Sequence, residues 1–86
     1  MSQIQQLKAQ LHQVATEATQ GAASLGTYKQ RFSQSSAHVL ALIQGSATKA
    51  DADISQLLDA AGMAVEQATE ALQIAAHGCK SYADQI

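Results

Sequence analysis

Apolar or small residues recur every three or four positions through almost the whole chain, in two series separated by one break. The first runs Ile4, Leu7, Leu11, Val14, Ala18, Gly21, Leu25, Tyr28, Phe32, Ser35, Val39, Leu42. The second runs Ile54, Leu58, Ala61, Val65, Ala68, Leu72, Ala75, Cys79, Tyr82, Ile86. An average spacing of about 3.5 keeps one stripe of a slightly underwound helix turned toward a partner helix. The pattern predicts an all-α protein with a helix over about 3–44, a turn over about 45–50 and a helix over about 51–85.

Composition agrees with that reading. Proline is absent, and the chain is dominated by alanine and glutamine, both favourable in helices. The first helix, on the order of 60 Å long, contains Gly21 and Gly26, each costing about 1 kcal/mol against alanine. Ser24 or Thr27 could cap a new helix at that point, giving three helices. The heptad phase runs unbroken across the segment and favours one helix.

Gly45 suits the left-handed position after a helix end. Ser46 or Thr48 can cap the second helix, with Asp51 and Asp53 placing negative charge at its positive end. So short a connection folds the helices back antiparallel. Folding about residues 47–48 sets Leu42 near Ile54, Phe32 near Met63 and Val65, Ala18 near His77 and Cys79, and Leu11 near Ile86. The expected hairpin core is Leu11, Val14, Leu25, Phe32, Val39, Leu58 and Val65.

That seam is too poor in large side chains to offset the ordering cost of two lone helices. The flanks of the stripe carry Leu57, Ala64, Ala71 and Gly78, Gly62, Thr69, Ala76 and Ala83, and Ala15, Ala22 and Ile43. A water-exposed coiled coil usually places Glu and Lys there. Small residues instead admit another helix, so the expected assembly is a four-helix bundle of two hairpins. The expected partner-facing residues are Leu40, Ile43, Leu57, Ala64, Ala71, Leu72 and Tyr82. Leu40, Ile43 and Leu57, near the turn, either cap the bundle end or form a docking patch.

Charge and chemistry exclude more than they offer. Charged residues make up 14% of the chain and the net charge is -2, without the Lys/Arg clusters that phosphate binding requires. No stretch has the length of a membrane span, and the N-terminus lacks the features of a secretory signal peptide. Cys79 lies on the stripe, where a thiol acts as a small apolar group. His77 and Cys79 are two apart and point in different directions on a helix. No metal-ligand spacing, nucleophile–base pair or phosphate-cradling loop appears. The expectation is a non-enzymatic protein with no cofactor, no bound metal, no nucleic-acid partner and no stable membrane insertion.

Ile43-Gln44-Gly45, at the turn between two long helices, resembles the Trp-X-Gly family of small type VII secretion proteins. Ile43 stands where the family has tryptophan. Tyr82 is placed like the tyrosine of the family's export signal, but Ile86 stands four residues on where the family has an acid. The resemblance implies a secretion-system subunit or toxin partner, cytoplasmic before export and secreted without a signal peptide. Its partner would be another helical hairpin, as homodimer or heterodimer, or the helical N-terminal domain of a secreted toxin. The alternative is a self-assembling structural subunit resembling type III secretion needle proteins, whose turn normally contains proline.

Overall fold

The computed structural model describes residues 2–44 and 49–86. The turn glycine Gly45 and the expected caps Ser46 and Thr48 lie outside the described residues. Two helices make up the fold, α1 (Gln3–Ile43) and α2 (Ala50–Gln85). The Ser2 hydroxyl starts α1 by accepting a hydrogen bond from the Gln5 amide at 3.2 Å. At the other end Gln44 leaves helical geometry, with ψ at 133°. Lys49 occupies the N-cap position of α2 and gives no side-chain cap bond, while Asp51 and Asp53 lie in the first turn. Their charges offset the positive end of the helix dipole.

No break occurs at the glycines of α1. Thr27 donates its hydroxyl to the Ala23 carbonyl at 3.3 Å instead of starting a new helix. Thr16, Thr19 and Thr69 likewise bond the carbonyl four residues back, so these β-branched residues keep their polar groups satisfied within the helix. Gly21 serves close packing: a Cβ there would stand 3.3 Å from Leu72 Cδ1.

The helices run antiparallel over their whole length. Lys29 reaches Glu66 at 3.0 Å near the middle, and His12 lies 3.8 Å from Asp84 near the open end. The result is a rod of 68 × 16 × 14 Å with a radius of gyration of 19.3 Å, against about 12 Å for a compact domain of this length.

The seam is rotated from the stripe that periodicity picks out. On α1 the protected columns are Leu11–Ala18–Leu25–Phe32 and Ala15–Ala22–Lys29–Ser36; on α2 they are Leu58–Val65–Leu72–Cys79 and Gly62–Thr69–Ala76–Ala83. One column of each helix is as the sequence predicts, and the other is displaced by one residue. Val14 and Val39, expected in the core, are instead 43% and 40% exposed. Leu72, expected to face a partner, packs with Cys79 on the buried cluster Ala15, Ala18 and Ala76. Size accounts for the shift where the alternatives differ: Ala15 in place of Val14 and Ala83 in place of Tyr82 let the two backbones approach closely and gain dispersion contacts. Bulky residues such as Val14 would hold them apart.

The core is correspondingly thin. Its buried residues among those described are Ala15, Ala18, Ala22, Ala76 and Ala83, all of them alanine. A Cβ on half-buried Gly62, in the seam, would meet nothing within 4 Å, and neither would one on Gly26, which is exposed. Gly26→Ala and Gly62→Ala should therefore each stabilise the hairpin by about 1 kcal/mol, the ordinary helix-interior difference. Gly21→Ala should gain less because Leu72 must move. Urea melts of the three variants check this; a loss of stability in Gly62→Ala would mean the space beside it is not open.

Candidate interaction face

An antiparallel helix pair has an approximate twofold axis perpendicular to its plane, so columns of equal phase on the two helices emerge on the same side. With about 100° between successive residues, those following each seam column form one side of the hairpin and those preceding it form the other. The two sides differ sharply in chemistry.

On the following side, α2 presents Asp59, Glu66, Gln73 and Lys80, and Met63, Glu70, His77 and Asp84. Both ion pairs between the helices, Lys29–Glu66 and His12–Asp84, are made here. The second is ionic only when the imidazole is protonated. A shallow groove runs along this side, floored by Ala15, Ala22 and Ala76 and edged by His12, Thr16 and Gln20 of α1 and Gln73, His77 and Lys80 of α2. Exposed pairs of this kind contribute about 0–1 kcal/mol each.

On the preceding side, α2 presents Leu57, Ala64, Ala71 and Gly78, and Ala61, Ala68, Ala75 and Tyr82, with no charge among them. From Leu57 to Asp84 every carboxylate, lysine and histidine of α2 lies on the opposite side. The α1 half of this face carries Val14, Gly21, Tyr28 and Ser35, edged by Gln10, Glu17, Ser24 and Arg31. Leu57 is 67% exposed and Tyr28 53% exposed. The Tyr28 ring stacks on Phe32 at 6.1 Å between centroids, which fixes its position on the face. Leu7, Leu42 and Ile86, expected on the seam, are also exposed.

Of the residues expected to meet a partner, Leu57, Ala64, Ala71 and Tyr82 lie on this face. Leu40 and Ile43 are half-buried, Leu40 in a shallow groove at the turn end with Ala37, Asp51 and Ser55. Leu72 belongs to the hairpin. Val14 and Tyr28, which the repeat places on the seam, stand instead on the uncovered side, as does Tyr82, which the sequence assigns both to the repeat and to the partner face. The signal available in the sequence was their pairing with smaller neighbours, Ala15 beside Val14 and Ala83 beside Tyr82.

The rod shape also shows in the exposed area. The chain exposes 6397 Å², where a compact monomer of 9.0 kDa exposes about 4,900 Å². The excess, about 1,500 Å², is comparable to the area each subunit buries in an obligate dimer.

Among the described residues no group of three His, Cys, Asp or Glu side chains could hold a metal ion, and no helix is long and apolar enough to cross a membrane. Cys79 is a half-buried free thiol. Compared with known protein families, curated proteins and solved structures, the chain finds no match. The Trp-X-Gly resemblance accordingly rests on Ile43-Gln44-Gly45 and on the hairpin form.

Proposed function

We propose that this chain is a non-enzymatic pairing module, a helical hairpin that docks its uncharged side on another helical hairpin to complete a four-helix bundle. One observation carries the reading: the carboxylates, lysine and histidine of α2 from Leu57 onward are all on one side, while Leu57, Tyr28 and Tyr82 stand exposed on the other. A contiguous apolar strip of this length is unusual on a soluble monomer and marks an interaction site. The biological setting we propose is type VII secretion, as an exported subunit or as the partner of a larger toxin. Its support is the Ile43-Gln44-Gly45 turn and the position of Tyr82.

Sedimentation velocity combined with a thermal melt tests the pairing. The expected result is a dimer at micromolar concentration, or a chain that is labile alone and gains stability with a helical partner. A monomer that melts cooperatively at high temperature at every concentration would sink the reading. The secretion setting has its own test: in a host with a type VII system the chain should reach the medium only while that system's ATPase is intact.

A further inference from the structure

Resting on the pairing reading, we infer that the uncovered side is self-complementary: it binds a second copy of this chain, antiparallel, about a twofold axis level with Ser24–Leu25 and Thr69–Glu70. Three features of the molecule point to the same axis. Along α2, reversal about that point sets Leu57 opposite Tyr82, Ala61 opposite Gly78, Ala64 opposite Ala75 and Ala68 opposite Ala71. Small residues thus meet along the centre, where the helices come closest, and one large pair closes each end.

Along α1 the same reversal lays Tyr28 over Gly21 of the second copy and Leu7 over Leu42. On its rim, Glu17 falls opposite Arg31 of the second copy, and the symmetry repeats this complementary pair. These α1 and α2 matches come from separate stretches of sequence, so nothing in either requires a common axis. The hairpin supplies it. Gly21 lies against Leu72 and Lys29 against Glu66, and midway between these contacts residue 25 is level with residue 69.

A parallel arrangement fits less well. It places α1 over α2 of the other copy, so Tyr28 no longer falls on Gly21, and neither Glu17 nor Arg31 meets an opposite charge. The area also suits a second copy, because two rods of equal length cover one another from end to end.

Cross-linking of the full chain in a Cys79→Ser background tests the arrangement. Ser24 lies beside its own symmetry mate, so Ser24→Cys should give a covalent dimer with a short bis-maleimide. Gln10→Cys, whose symmetry mate is far along the rod, should not, whereas Gln10→Cys combined with His38→Cys should. A sedimenting dimer that Ser24→Cys fails to cross-link overturns the antiparallel arrangement and leaves pairing intact. A chain that is monomeric at high micromolar concentration overturns the second copy as occupant. The pairing reading falls with it only if that monomer also melts cooperatively.

Discussion

Ala76→Asp should abolish the hairpin at every protein concentration, whereas Ala75→Asp should leave a helical chain that no longer associates. The two alanines are neighbours in sequence and differ in which surface they serve. Ala76 is 8% exposed and sits in the cluster with Ala15 and Ala18. A carboxylate there is pressed against Ala15 and Ala18, with His12 and Lys80 only lining the groove outside it, and must either remain charged with little water or take up a proton. An unpaired buried charge costs about 3–5 kcal/mol, a large fraction of the stability of any small domain. Ala75 is exposed in the hairpin, so its replacement changes the lone molecule little. In the self-paired assembly it faces Ala64 of the second copy, and two carboxylates enter the close-packed centre. Circular dichroism melts separate the first effect, and sedimentation separates the second. Equal damage to folding by both variants would return the seam to the stripe that periodicity alone selects.

That pair of residues also shows what the sequence could reveal. The repeat identifies two helices and their reversal because any apolar sector with a spacing near 3.5 must face something. Leu11, Leu25, Phe32, Leu58 and Val65 lie within the sector whichever way it is turned, and the structure half-buries all of them. Where apolar residues stand at both three and four positions on, the period cannot say which edge turns inward. Val14 and Ala15, Ala75 and Ala76, and Tyr82 and Ala83 are three such choices.

Weighting by hydrophobicity puts Val14 and Tyr82 inside. Close backbone approach puts Ala15 and Ala83 inside, and Ala83 is 0% exposed. The interaction face was partly legible for a separate reason: Leu57, Ala64 and Ala71 occupy positions where water would favour charge. Tyr28 was not, because its place depends on how far α1 rotates. The register of the proposed dyad needed the contacts Gly21–Leu72 and Lys29–Glu66, which no periodicity contains.

Leu57→Gln should weaken self-association by about 30-fold or more while barely changing the hairpin. Leu57 is largely exposed in the single chain, and glutamine matches leucine closely in helix propensity, so intrachain stability should shift by less than about 0.5 kcal/mol. In the antiparallel pair each Leu57 covers Tyr82 of the other copy, and both ends of the assembly lose that contact together. Burying the remaining exposed part of a leucine is worth about 1–2 kcal/mol, hence about 2–4 kcal/mol per dimer, from which the fold-change follows. Met63 provides the contrast. It is 59% exposed and comparably apolar, but stands on the side that carries Glu66, Glu70 and Lys80. Met63→Gln should leave the dimer dissociation constant within about threefold of the parent, because an exposed side chain outside an interface contributes little to binding. If Met63→Gln proves as damaging as Leu57→Gln in sedimentation equilibrium, the charged side is the one that is covered, and the assignment of the interaction face is reversed.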